Sequence, residues 1–140
     1  MGDELRPGSY LIRPRLIALD MACAPLARAY GLGVYLVGSC LLRPDYRDVD
    51  VRVLLSAKEW AGMFPGVDPA KPFLASSCWE LLCLALSEYL SRAAHRLPID
   101  FQFQEVDAAN AAYGKEPRVA LGIRDLESMT PVRGGEVDDG

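Results

Sequence analysis

The residues best equipped for chemistry stand together between Val34 and Leu55, in VYLVGSCLLRPDYRDVDVRVLL. In Asp48-Val49-Asp50-Val51-Arg52-Val53 polar and apolar side chains alternate with the period of a β-strand. Asp48, Asp50 and Arg52 therefore share one face, and the three valines share the other. Two carboxylates on one strand face repel, and each disfavours ionisation of its neighbour. A cation relieves that repulsion, and Mg²⁺, a hard ion that takes carboxylate and phosphate oxygens, is the expected one. A solvated edge strand with its polar face outward would show the same pattern, but the turn ahead of it favours the ion. Val34 to Val37 is a short apolar run ending at Gly38, as in a buried strand entering a turn. Gly38 has no Cβ to hold a neighbour away. Ser39 adds a hydroxyl and an N–H where a short helix could start, a natural seat for a phosphate.

Gly38-Ser39, a polar gap and then Asp48-Val49-Asp50-Val51 resemble the signature of the nucleotidyltransferase superfamily. This is the group related to DNA polymerase β, which includes the minimal nucleotidyltransferases and the antibiotic-adenylating enzymes. Its pattern is an apolar residue, Gly, Gly or Ser, a gap, then Asp-apolar-Asp-apolar, with a third Asp on a later strand. The gap here, Cys40 to Arg47, has eight residues, slightly fewer than is usual in the family. For the third carboxylate Asp100 is the candidate. Ile99 to Gln104 alternates again, with Asp100, Gln102 and Gln104 on one face and Ile99, Phe101 and Phe103 on the other.

The resemblance implies an α+β fold, a small mixed β-sheet with helices packed on one side. It implies transfer of a nucleoside monophosphate from a nucleoside triphosphate, with ATP the expected donor, to an acceptor hydroxyl, releasing pyrophosphate. Asp48, Asp50 and Asp100 would hold two Mg²⁺ ions, and Asp100, nearer the acceptor, would help take its proton. Gly38 and Ser39 would hold the β- and γ-phosphates. Arg52 is the best-placed charge partner for them, ahead of Arg43 and Arg47, because it shares the acids' face.

Around this centre the elements are expected as follows. A helix with one apolar side runs from Pro14 to Tyr30, stopped by Gly31 in a left-handed cap, with Pro25 either kinking or splitting it. Ser56 caps a short helix through Lys58, Glu59 and Trp60, and a Pro- and Gly-rich loop follows from Met63 to Phe73. Ser77 and Glu80 have capping-box spacing and open an apolar helix reaching about His95, which suits the negative end of the helix dipole rather than catalysis. Asp107 caps a last short helix ended by Gly114. Trp60, Phe64 and Phe73 read as core aromatics before they read as a base-stacking set. Lys115, Arg118 and Arg124 could meet a triphosphate or lie on a solvated surface.

Composition bounds the rest. The 140 residues, 51% hydrophobic and 24% charged, suit one domain over residues 1–130, with 131–140 a disordered tail. A net charge of −4 gives no electrostatic footprint for non-specific nucleic-acid binding. Four cysteines without C-x-x-C spacing and a single histidine make no zinc set, and Cys40 has no base beside it in sequence. MGDELRPGSY lacks the regions of a signal peptide, and no run reaches the length of a membrane span, so a cytoplasmic protein without a membrane partner is expected. The acceptor stays open: a small molecule, a protein side chain or an RNA end. Three alternatives stand beside the enzyme. The chain is a catalytically inactive nucleotide-binding module, or a subunit that needs a protein partner or a second copy, docking on the helix from Ser77 to His95. The third is a hydrolase metal site.

Overall fold

The alternating run that carries Asp50 folds as an inner strand, because a strand with valines on one side buries that side against helices. The structure, a computed structural model, describes residues 10–123. Helices α1 (Arg13–Ala22) and α2 (Ala24–Ala29) lead into strand β1 (Val34–Val37), a 3₁₀ turn (Ser39–Leu41) and strand β2 (Val49–Leu55). Then come α3 (Ala57–Met63), a second 3₁₀ turn (Pro72–Leu74), α4 (Ser77–Ala93), β3 (Ile99–Glu105), α5 (Val106–Tyr113) and β4 (Val119–Leu121). The sheet is mixed and four-stranded, ordered β3-β2-β1-β4. β1 is antiparallel to both β2 and β4, and β2 is parallel to β3. The expected α+β class with a small mixed sheet is therefore observed. A parallel pair needs a long crossover, and α3, the loop after it and α4 supply one.

Val49, Val51, Val53, Phe101 and Phe103 form the buried face of β2 and β3. Leu19 of α1, Leu26 of α2, Trp60 of α3 and Leu90 of α4 join the same core. The opposite face carries Asp50, Arg52, Gln102 and Gln104, each half-buried. Helix α4 also finishes the outer edge of β3. The Phe101 N–H donates to Ser87 Oγ at 2.9 Å, and Trp79 Nε1–H donates to the Phe103 carbonyl at 2.9 Å. Two side chains thus replace the strand partner that an edge strand lacks. The rest of α4 is less covered than its apolar sequence leads one to expect: Leu81 and Leu84 are 65% and 59% exposed.

Several local expectations shift. Pro25 splits the first helix rather than kinking it. Cys23 closes α1 and opens α2, which puts Pro25 in a first turn, where a missing N–H costs nothing. Gly31 is not the left-handed residue; α2 ends in an extended Tyr30, and Gly33 takes the positive φ of 97°. Ser76, not Ser77, caps α4, its Oγ accepting the Trp79 N–H at 3.0 Å, so Glu80 falls one place beyond a capping box. Glu105, not Asp107, caps α5 by accepting the Ala108 N–H at 2.9 Å. Ser56 caps α3 as read, and Glu59 adds the reciprocal bond of a capping box, which was not read.

Trp60 and Phe64 are core residues, with ring centroids 4.9 Å apart, and Phe73 is exposed. His95 lies just past α4 with Arg96, both at positive φ, and Arg92 and Arg96 pair with Glu88 instead. β4 was not expected. Its end is fixed by Asp20 of α1, whose buried carboxylate accepts the Gly122 N–H at 2.8 Å. Arg124 and the tail over 131–140 lie outside the described residues. Among those described, no helix is long and apolar enough to cross a membrane.

Candidate functional site

Strand register brings the first two acids together. Asp50 and Asp100 are paired Cα partners across the parallel β2–β3 ladder, so their side chains leave the sheet on one face. On the other side of β2, Val37 is the partner of Asp50, and Gly38 follows it out of the strand. Gly38 has φ 82° and ψ −157°, a conformation that disfavours any Cβ, and a Cβ built there would overlap Asp50 Oδ2. Glycine is therefore required twice over. Its lack of a side chain lets the turn and the carboxylate occupy adjoining space.

Ser39 opens the 3₁₀ turn, and its carbonyl accepts the N–H groups of Leu42 and Arg43 at 2.9 Å each. The turn is anchored by Cys40 and Leu41, both buried. The Ser39 hydroxyl has no hydrogen-bond partner among the described residues. Burial first, and the Asp50 charge second, push the Cys40 thiol up to about 11, so it stays protonated at neutral pH and is no nucleophile.

Arg52 governs the electrostatics. Its Nη2 stands 3.8 Å from Asp50 Oδ1 and 3.7 Å from Asp100 Oδ2. Its Nη1 donates to the carbonyls of Asp100 and Val51, at 2.7 and 3.0 Å. The expected phosphate partner is thus engaged with both carboxylates. Burial raises the Asp50 pKa above the ordinary carboxylate value; Arg52 pulls it back, while Asp100 and Asp48 push it further up. Asp48 stands one residue ahead of β2 and is exposed, near enough for its charge to act on Asp50. Among the described residues no group of three His, Cys, Asp or Glu side chains is disposed to hold a metal ion. The acids that meet are Asp50 and Asp100, with Asp48 at the rim. Arg43 pairs with Asp45 at the surface, and Arg47 is exposed.

A cavity of about 280 Å³ opens beside Gly38 and Asp50 and runs along the polar face past Arg52 to Leu54 and Gln104. Tyr35, Tyr113 and Arg118 help to wall it. Arg118 Nη2 donates to Asn110 Oδ1 at 2.8 Å, which ties it to α5, whereas Lys115 is exposed. Neither tyrosine stood out in the sequence. Tyr35 could have been found, because β1 alternation sets it on the side of Val37, next to Gly38. Tyr113 could not, since nothing local tells that α5 ends over the sheet.

No family model matches the chain, and no curated protein or solved structure does either. The functional reading therefore stands on the chemistry of these residues.

Proposed function

We propose that this chain is a Mg²⁺-dependent nucleotidyltransferase, with a nucleotidyltransferase-like core, that moves a nucleoside monophosphate from a nucleoside triphosphate to an acceptor hydroxyl. ATP is the first donor to try. One observation carries the reading: Asp50 and Asp100 are register partners on one sheet face, and Gly38 lies directly against Asp50. The order of elements supports it too, with an antiparallel β1–β2 pair bearing the Gly-Ser turn and a parallel neighbour delivering the later acid.

The chemistry of the acids, rather than their present spacing, speaks for Mg²⁺. Carboxylate oxygens are its preferred ligands, and the upward push on Asp50 from burial and from two other acids is what a cation relieves. Asp48, Asp50 and Asp100 would hold the ions, in competition with the Arg52 guanidinium. When bound, the ions would supply positive charge against the triphosphate and the charge that develops on transfer. The remaining work falls to the chain. Gly38 leaves room for phosphate oxygens near Asp50, and the Ser39 hydroxyl, without a partner among the described residues, is offered to the β- and γ-phosphates. The side chain of Asp100 is 46% exposed, so an acceptor hydroxyl can reach it and lose its proton there. The acceptor oxygen bonds to the α-phosphorus as the bond to pyrophosphate breaks. Four free cysteines fit the reducing cytoplasm as the place of action.

The test is label transfer from an α-labelled nucleoside triphosphate to a panel of hydroxyl acceptors, with and without Mg²⁺, following pyrophosphate. Asp50→Asn should abolish it. A folded Asp50→Asn protein with the wild-type rate contradicts the assignment.

A second reading has its own observation. Arg52 already places a positive charge between the two carboxylates, as suits a nucleotide-binding module without turnover. Nucleotide would then raise the melting temperature while no pyrophosphate forms. A partner-dependent subunit is the variant of this reading to which the exposed Leu81 and Leu84 of α4 would belong.

A further inference from the structure

We infer that the cavity beyond Asp50 is the seat of the nucleobase, read by the Gln102–Gln104 amide pair and stacked by Tyr113, and that the acceptor comes from the opposite, open side. The inference rests on the nucleotidyl-transfer reading above and extends it to residues that reading does not use.

The cavity adjoins Gly38 and Asp50, where the phosphates would lie, and is lined further along β2 and β3 by Leu54 and Gln104. Strand rise makes the span from Asp50 to Leu54 about 13 Å, comparable with the reach of a nucleoside from its 5′ oxygen to the far edge of its base. A volume of about 280 Å³ is at the small end for ligand cavities. It suits one ring system with its sugar, not two substrates together.

The lining matches a planar heterocycle. Leu54 supplies apolar floor, and Tyr35 and Tyr113 supply aromatic surface. Gln104 Nε2 donates to Gln102 Oε1 at 3.2 Å. That bond leaves the Gln102 amide as a donor and the Gln104 carbonyl as an acceptor, with no protein partner among the described residues. Turning both amides over leaves the same count, one donor group and one acceptor. A donor beside an acceptor is what the edge of a nucleobase requires. Arg118 also lines the cavity, held by Asn110.

With a nucleoside filling a cavity of this volume, the acceptor must come from elsewhere. An attacking oxygen must approach in line, opposite the departing pyrophosphate, and the third acid, Asp100, marks that side. Neither Asp100 nor Asp48 borders the cavity, and both are open to solvent. The nucleoside therefore fills the cavity, and the acceptor meets the site from its exposed rim.

The test uses the full chain, chelator in place of Mg²⁺, and calorimetric titration with adenosine, guanosine, cytidine and uridine. At least one nucleoside should bind to the wild type. Tyr113→Ala and Gln104→Leu should weaken it about tenfold or more, while Tyr113→Phe keeps it and Gln104→Glu changes the preferred base. Thermal melts show that each variant is folded. If no nucleoside binds up to its solubility limit, or folded Tyr113→Ala and Gln104→Leu bind like the wild type, the inference is overturned, whether or not label transfer occurs. If nucleosides bind as expected and no label is transferred with Mg²⁺, the cavity assignment stands and the enzyme reading falls.

Discussion

Asp50 and Asp100 sit side by side on neighbouring parallel strands, with the Arg52 guanidinium 3.8 Å from one carboxylate and 3.7 Å from the other. The same guanidinium donates to two backbone carbonyls, so it is a structural clamp as well as a counter-charge. Arg52→Met should cost about 1–3 kcal/mol, by stranding acceptors in a half-buried site. For a chain of this size that lowers the melting temperature by about 2–4 °C per kcal/mol. Added Mg²⁺ should restore more of it in the variant than it adds to the wild type, since the ion no longer competes with arginine. Calorimetric melts with and without Mg²⁺ check this; an ion-independent loss would speak for a clamp alone.

The pH dependence of Asp50 has a defined sign. Burial and two neighbouring acids raise its folded pKa above the ordinary carboxylate value, with Arg52 opposing. A group raised on folding contributes stability that is present below its unfolded pKa and lost as pH rises through its folded pKa. Asp50→Asn should therefore leave stability unchanged in acid, where the carboxyl is neutral anyway. It should become progressively favourable as pH climbs to neutrality. Denaturant titrations of both proteins across that range show it, and a difference independent of pH would contradict the electrostatic cause.

Gly38 offers a coupled test. At φ 82° and ψ −157° a side chain costs about 1–3 kcal/mol, and a Cβ also meets the Asp50 carboxylate. Gly38→Ala should be destabilising and inactive, and its stability cost should shrink when Asp50 is already alanine. A double-mutant cycle reads the coupling, and strictly additive costs would mean the two residues do not share space.

Much of this site was legible along the chain, and the reason is periodicity. Two-residue alternation fixed which side chains of β2 and β3 share a face, so Asp50, Arg52, Asp100 and Gln102 emerge together as read. What alternation cannot give is register or reach. Nothing in the sequence says that Asp50 faces Asp100 rather than Gln102, that Arg52 bends back between the acids, or that Tyr113 arrives over the sheet. The caps slipped by one or two residues because Ser76 and Ser77 are equally good acceptors, and because Glu105, still in the strand, reaches forward before Asp107 can. β4 was missed because three residues carry too little pattern.

The outer edge of β3 bears on the site through Asp100. Ser87→Ala should leave the Phe101 N–H unpaired, at a cost of about 1–3 kcal/mol, and loosen the strand next to the third acid. Amide exchange at Phe101 should speed up more than exchange at Val51 on the inner strand. Equal acceleration at both would indicate global destabilisation instead.

Thiol chemistry provides an independent check on burial. Burial, with the Asp20 charge, pushes Cys23 up to about 12; Cys40 and Cys83 are pushed to about 11, mainly by burial. Cys78 alone is exposed. At neutral pH an aromatic disulfide reagent should titrate one thiol quickly in the folded chain and all four in denaturant. Fast reaction of Cys40 would mean that the Gly-Ser turn opens.

The central claim is that the three acids take a divalent ion against the Gly38 turn. The most direct measurement is Mn²⁺ binding to the full chain with a triphosphate present, read by equilibrium dialysis as the ion retained on the protein side above a protein-free control. Saturable binding in the wild type that disappears in both Asp50→Asn and Asp100→Asn is the expected result. Binding that survives in folded samples of both variants, or no binding in the wild type, would contradict the claim.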